Sequence, residues 1–318
     1  MSETKERTRH ARSARVLTIG DTIIDIHHRG VQLRSSEVPT IRHEYAEITL
    51  GGAAFLVRNM LALGGRVTFM TLLGNDEYST HEKKLVHKNL RKIILREKGR
   101  GSTVKKRYWA QGEKLLGWDH LDNRPLSRAL ERKVLAFVKR NAKQYDHIVI
   151  SDYRHGLISR NLARALVKSA KTAHVPIYVD SQVAHSAANH VWYRGADLFC
   201  LNVREAEAID SRFSERSLEK SAGRLRNILK CKDLIIKLGK RGSFALIGSK
   251  RVRTPALPIK AVDDTGAGDA FFAVIALSKV LDNNALIRAN VWAGLKTRLH
   301  GTKTPSLVDL KKIAKKSL

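Results

Sequence analysis

Cysteine is almost absent from this chain. Cys200 and Cys231 are the only two; they sit in apolar or mixed contexts and match no metal-ligand spacing. That excludes a disulfide scaffold and a zinc site, and points to a reducing, cytoplasmic setting. Long apolar runs are missing too: the longest, Ala270 to Leu277, is under half of the roughly 20 residues a membrane-spanning helix needs. Residues Met1 to Arg15 carry no apolar core, so no secretory signal is read there, and 1–14 is expected to be a flexible basic arm. Acidic residues are scarce relative to basic ones, 30 against 59, for a formal net charge of +29. The excess is spread along the chain. It suits an anionic partner such as nucleic acid, an acidic membrane surface or a phosphorylated small molecule, and equally a plain solvated basic surface. No aromatic-studded basic motif of the kind that grips single strands is present, so specific nucleic-acid binding is not expected, nor is a membrane partner.

What is present is a pattern of alternating strands and helices. A buried strand, Val16 to Ile19, ends at Gly20-Asp21. Gly51-Gly52 precede a helix from Ala53 to Leu63 that stops at Gly64-Gly65, and Val67 to Leu73 is the next strand. From Leu126 the order is helix 127–143, strand 148–150, helix 159–173, strand 177–179, strand 198–201, helix near 205–209, helix 216–229 and strand 234–238. Such alternation predicts a parallel sheet with right-handed crossovers, in which ligands bind beyond the carboxyl ends of the strands. Asp21, Asp152, Asp180 and Asn202 each fall at such an end. The stretches 29–50 and 102–121 look extended and stand apart from this pattern, so they are expected to form an excursion from the main sheet.

The glycine-rich turn at Asp264-Thr265-Gly266-Ala267-Gly268-Asp269 runs directly into the apolar helix Ala270 to Leu277. Gly266 and Gly268 let backbone approach an anion, and the unpaired N–H groups of a helix's first turn point at it. Asp269 is either a helix cap or a group kept to take a proton from an attacking hydroxyl; locally both readings stay open.

Together these residues resemble the ribokinase-like (PfkB) carbohydrate kinases from Arg15 to about Asp309. Asp264 to Asp269 is similar to that family's C-terminal signature. Gly51-Gly52-Ala53-Ala54 with Arg58-Asn59 resembles the N-terminal one, and Asn202-Val203-Arg204-Glu205 its Asn-x-x-Glu motif. Within the family the chain is most similar to kinases of D-glycero-D-manno-heptose 7-phosphate, through Gly20-Asp21 with Asp25, Lys105-x-Arg107, Ser151-Asp152-Tyr153 with Gly156, Ala289-Asn290 with Ala293-Gly294, and Gly301-Thr302-x-Thr304. No nucleotidyltransferase segment is read after them, so the likeness is to the separate kinase. Phe55, Gly117 and Asp180-Ser181-Gln182 depart from the heptose-kinase pattern, at places expected to read the sugar.

The resemblance implies a three-layer α/β/α fold with a mostly parallel central sheet and a small β lid. It implies one kinase domain over 15–318, with lid segments at about 28–50 and 100–120, and an ATP- and Mg²⁺-dependent transfer to a sugar or sugar-phosphate hydroxyl. Asp269 would be the general base, and the N–H groups of Gly266, Ala267 and Gly268 the anion hole. Asn202 and Glu205 would hold hydrated Mg²⁺, although an N-cap with a capping-box glutamate has the same spacing. Lys237, Gly239, Gly242, Asp263, Asn290 and Gly294 would line the nucleotide side, the Gly239–Gly242 turn reading equally as a hairpin. Asp21, Asp25, Gly51 and Gly52 would meet the sugar. Lys105 and Arg107, with Arg58 behind them, would meet a substrate phosphate. His27, His28 and His155 lack partners at metal-ligand spacing. The lid would make a homodimer, with Trp109 and Trp118 buried in it. The alternatives are a free-sugar or nucleoside kinase of the same fold, with Phe55 stacking on a base, and an idle kinase fold that binds nucleic acid or a protein.

Overall fold

Strand β1 (Arg15–Gly20) is buried from Val16 onward. An uninterrupted apolar strand belongs in the middle of a parallel sheet, covered on both faces, and β1 lies there. It pairs in parallel with β4 (Arg66–Leu73) on one side and β8 (His147–Asp152) on the other. The computed structural model describes residues 13–33, 38, 40–183 and 188–314. Of the arm expected over 1–14, residues 1–12 lie outside the described residues, and Ala14 is buried with its carbonyl accepting from the Arg66 N–H.

The chain between β1 and β4 forms β2 (Thr22–Leu33), β3 (Thr40–Gly52) and helix α1 (Ala53–Ala62). After β4 come β5 (Leu90–Arg96), β6 (Val104–Ala110), β7 (Glu113–His120) and α2 (Arg128–Asn141), then β8. Next follow α3 (Arg160–Ala173), β9 (Ile177–Ser181), β10 (Leu198–Asn202), α4 (Val203–Ile209), α5 (Leu218–Leu229) and β11 (Asp233–Lys237). The chain continues with β12 (Ser243–Ile247), β13 (Lys250–Thr254), α6 (Ala267–Leu277), α7 (Asn283–Thr297) and α8 (Leu307–Ala314).

Nine strands form the main sheet in the order β13-β12-β11-β10-β9-β8-β1-β4-β5, parallel except where β12 pairs with β11 and β13. Successive residues of a strand face opposite sides, and the core divides accordingly. Leu17 and Ile19 pack with Leu162, Leu166 and Leu225 of α3 and α5; Val16 packs with Met60, Phe272 and Trp292 of α1, α6 and α7. This is the expected three-layer α/β/α architecture. Helix starts are capped locally, Ser127 accepting from the Leu130 N–H and Ser159 from the Leu162 N–H.

A second sheet, β3-β2-β6-β7, gathers both extended excursions. Strands β2 and β6 run parallel with Asp25 opposite Lys105 and His27 opposite Arg107, while β3 and β7 pair antiparallel at the edges. The Gly239–Gly242 turn is a hairpin, since it joins antiparallel β11 and β12. Among the described residues no helix is long and apolar enough to cross a membrane.

Candidate active site

Helix α6 starts where chain geometry permits an anion to approach. Gly266 is its N-cap at φ 77°, a left-handed conformation that favours glycine. Among the described residues no side chain caps this helix, and Asp269 lies inside its first turn, so the cap reading of Asp269 does not apply. The Ala267 N–H donates to the Asp264 carbonyl at 3.0 Å. Of the three amides expected to form the anion hole, Gly266 and Gly268 are therefore the two left without an acceptor among the described residues.

Phe55 explains why position 266 has no side chain. A Cβ there would come within 2.4 Å of the Phe55 ring. Phe55 is fully buried, with the Arg58 guanidinium 5.8 Å from its ring centre. It props the turn from behind and lines no part of the cleft, which corrects the expectation that it reads the sugar or stacks on a base. Its neighbour Asn59 ties α1 to α7, accepting from Trp292 Nε1 at 2.9 Å.

The Asp269 carboxylate faces a cleft of about 1570 Å³ between the two sheets. Tyr153, just past the end of β8, donates its phenol to Asp269 at 2.7 and 2.9 Å. Burial pushes Asp269 from 3.8 up to about 7, with Asp180 adding to it, while Tyr153 and Lys237 oppose. A carboxylate poised near neutrality can both hold and release a proton under working conditions. In the sequence Tyr153 stands out only within Ser151-Asp152-Tyr153, with no role of its own; its place just past the carboxyl end of a central strand was the available signal.

Lys237 ends β11 and donates to Asp180 Oδ2 at 2.7 Å, both side chains largely buried. Its Nζ would lie 3.5 Å from a Cβ on Gly268, beside the amides of the turn. Burial opposes its charge, but Asp180, Cys200 and Glu205 outweigh that and keep its pKa above the ordinary lysine value. Among the described residues Asp180 Oδ1 is buried without a partner.

Asn202 and Glu205 form a capping box at the start of α4. The Glu205 N–H donates to Asn202 Oδ1 at 2.9 Å and the Asn202 N–H to Glu205 Oε2 at 2.7 Å. Burial drives Glu205 up to about 8. Asn202 lines the cleft and Glu205 lies behind it. Because these donors already satisfy one another, the pair fits Mg²⁺ held through its water shell rather than by direct contact. Among the described residues no group of three or more His, Cys, Asp or Glu is arranged to hold a metal.

Gly239, Gly242, Asn290 and Gly294 line one end of the cleft with Leu257 and Ile259. The Asn290 Nδ2 shares its two hydrogens among Ser243 Oγ, Thr254 Oγ1 and the Leu286 carbonyl, so it holds α7 to the hairpin. Asp263 accepts from the Thr265 N–H at 2.9 Å and the Gly301 N–H at 2.7 Å, bracing the turn from the side.

At the other end, period-2 alternation aims Asp25, His27 and Arg29 of β2, Glu47 and Thr49 of β3, and Lys105, Arg107 and Trp109 of β6 into the cleft. His27, Arg29, Glu47 and Thr49 were not anticipated, though their alternation with Asp25 and Lys105 encodes them. Asp25 is raised to about 6 by burial, against Lys105 and Arg107. A Cβ on Gly51 would sit 2.1 Å from Asp25 Oδ2, so Gly51 makes room for that carboxylate. Arg107 pairs with Asp119, and Gly117 lies opposite it in register. Thr302 reaches across to Thr49, oxygen to oxygen at 2.9 Å.

Asp21 does not join this set. Its oxygens accept from the N–H groups of Tyr153, His155 and Leu157 at 3.0 to 3.3 Å, so it anchors the loop that carries Tyr153. Asp152 is likewise buried, accepting from Ser181, Asn189 and Tyr193. Trp118, expected to be buried, is 64% exposed, on the sheet face away from the cleft.

A model described as "pfkB family carbohydrate kinase" matches residues 13–309. The D-beta-D-heptose 7-phosphate kinase of Bordetella bronchiseptica is 30% identical over 305 residues, covering 93% of this chain and 95% of that one. The bifunctional protein HldE of Nitratiruptor is 28% identical over 93% of this chain, which spans 64% of that longer relative. Among solved structures, phosphofructokinase-2 from Escherichia coli in complex with potassium superposes with a TM-score of 0.78 at 18% identity, covering 96% of this chain and all of that one. Ribokinase from Arabidopsis thaliana, complexed with ribose and ATP, gives 0.74 at 18% identity over 95% and 99%.

Proposed function

The chain belongs to the pfkB family of carbohydrate kinases, and on that premise we propose that it transfers the γ-phosphate of ATP to a hydroxyl of a heptose 7-phosphate-type sugar. The observation that carries the reading is the Asp269 carboxylate at the floor of the cleft. The Gly266 and Gly268 amides lie beside it, and the opposite wall carries Asp25, Lys105 and Arg107. As the acceptor oxygen bonds to the γ-phosphorus and the bond to the β-phosphate oxygen breaks, the acceptor's proton passes to Asp269 and ADP leaves. The two amides and Lys237 meet negative charge on the transferred group.

Asn202 and Glu205 would hold Mg²⁺ through its water shell, where it would supply positive charge to the nucleotide phosphates. Gly239, Gly242 and Gly294 leave room for the nucleotide, and Asp263 keeps the turn in shape. Asp25 accepts from sugar hydroxyls beside Gly51 and Gly52, and Lys105 with Arg107 takes the sugar's own phosphate. Asp21 acts from behind, through the 153–157 loop. The second sheet serves as a lid over the sugar, and its outward face, with Leu116 and Trp118 exposed, pairs with a second copy of the chain. The nucleoside alternative loses support, because Phe55 is sealed behind Gly266.

An ATP-consumption screen over heptose 7-phosphate, hexose phosphates, free hexoses, ribose and nucleosides tests this reading. Heptose 7-phosphate is expected to give the highest kcat/KM. A free sugar or nucleoside preferred over every phosphorylated one would overturn the substrate assignment, and turnover surviving Asp269→Asn would overturn the mechanism.

A further inference from the structure

Among the described residues Arg100 and Lys296 are cations buried almost completely, at 4% and 0% exposure, and they are satisfied in different ways. Arg100 faces the carboxylates of Glu97 and Asp122. Lys296 has no ion-pair partner among the described residues. Its Nζ donates instead to backbone carbonyls, that of Leu299 at 3.0 Å and that of Asp263 at 3.4 Å. Burying an ammonium without a carboxylate is costly, and burial does pull its pKa below the ordinary lysine value, against Asp263, Asp264 and Asp269. A group kept at such a cost calls for a reason in its location.

That location is the joint between two loops. Segment 262–266 leads into the anion-binding turn, and segment 299–302 reaches the lid strand through Thr302. They are tied at Asp263, whose carboxylate takes the Thr265 and Gly301 N–H groups. The Val262 and Asp263 N–H groups donate to the Thr297 carbonyl at the end of α7. One carbonyl from each loop then converges on a single positive charge. Carbonyl oxygens from separate segments converging on one charge are the chemistry of a small cation site, and here the charge arrives on a side chain.

We propose that Lys296 is a tethered cation. It supplies from within the chain the charge that a free monovalent ion would otherwise place between these loops, and so fixes the turn that presents the Gly266 and Gly268 amides. It touches neither substrate, so it is a positioning residue, and its use in catalysis rests on the kinase reading above. The wild-type enzyme is accordingly indifferent to the monovalent cation present. Removing the ammonium leaves a carbonyl-lined site that a free ion can enter.

The test compares wild type, Lys296→Ala and Lys296→Met in decimolar potassium, ammonium, sodium or tetramethylammonium, reading both turnover and thermal midpoint. Wild-type turnover is expected to stay within about twofold across the four salts. Lys296→Ala should lose on the order of 100-fold in kcat, the scale of a misplaced oxyanion donor, and regain about tenfold or more in potassium or ammonium. Its thermal midpoint should rise in the same salts while that of wild type does not. Lys296→Met fills the space with an apolar chain and should lose turnover without recovering in any salt. The proposal is overturned if potassium activates wild type severalfold, if either variant keeps wild-type turnover, or if no ion restores either readout in Lys296→Ala. Should wild type prove inactive on every sugar, the kinase reading falls, and the thermal midpoints still decide the cation site.

Discussion

The phenol of Tyr153 is shared between both oxygens of Asp269, at 2.7 and 2.9 Å. A donor to a carboxylate favours its ionised form, so Tyr153 opposes the burial that brings Asp269 up to about 7. The residue at the end of β8 thus sets the readiness of the one at the start of α6.

Replacing Tyr153 with Phe should therefore raise the Asp269 pKa further. The acid limb of the kcat/KM profile, expected near pH 7 in wild type, should move to higher pH. The rate at neutrality should fall severalfold and recover well above it. A limb that stays in place in a pH–rate series argues against Asp269 as the titrating base.

Asp269→Asn should cost about 10²–10⁴ in turnover, the usual worth of a positioned general base, yet stabilise the fold. The folded-state pKa of Asp269 lies above its ordinary 3.8, so the folded chain retains a proton that the unfolded chain releases. The stability from this group is fully present below 3.8 and lost as pH rises through about 7. Thermal melts across that window should decline less steeply in the variant than in wild type.

Lys105→Ala and Arg107→Ala should raise KM for a phosphorylated sugar by about tenfold to a hundredfold, since a charge-assisted contact is worth roughly 1.5–3 kcal/mol. KM for the matching unphosphorylated sugar, measured in parallel, should hardly change. Equal losses on both would mean the pair shapes the lid rather than binding phosphate.

Gly266→Ala places a methyl 2.4 Å from the Phe55 ring at φ 77° and should cost about 1–3 kcal/mol in stability with a large loss of kcat. Phe55→Leu should lower the melting temperature while leaving sugar selectivity intact, a comparison read from KM across the substrate panel. Gly266→Ala combined with Phe55→Leu should melt higher than the sum of the two single losses allows, because the contact is shared.

Wild type is expected to sediment as a dimer, and Leu116→Glu with Trp118→Glu should give a monomer in sedimentation velocity. Both residues are exposed apolar side chains of the lid's outer face, 52% and 64%. A monomeric wild type would remove the lid from assembly.

The central sheet was legible because its strands, buried on both faces, read as unbroken apolar runs such as Val16 to Ile19 between glycine and aspartate signals. Strand β5, with Arg91 and Lys92 inside it, and β13, with Lys250, Arg251 and Arg253, lack that contrast and went unread, while β12 carries a short apolar run between Gly242 and Gly248 and was still missed. The turn from Gly266 to Asp269 was legible in outline, because glycine and aspartate at a helix start have few other uses. Other roles depended on partners distant in sequence. Phe55 gives no sign in its own neighbourhood that it will pack beneath a glycine near residue 270. Asp21 and Asp25 look alike on the page, yet one meets three backbone amides and the other faces the cleft. Nothing local in Asn283–Thr297 marks Lys296 as buried, since a lone lysine on a helix usually points to water.

The prop that Phe55 places beneath Gly266, together with the Asn59 bond to Trp292 across 233 residues, governs when the enzyme first becomes a hazard to its own cofactor. During synthesis the first helix waits for nearly the whole chain before its partner segments emerge. Contacts of such long range are rewarded only after their loop-closure cost has been met, so a chain cut short of Trp292 is expected to leave the phosphate-binding turn without its support. On the proposed function, the capacity to spend ATP would then arrive only with the finished fold.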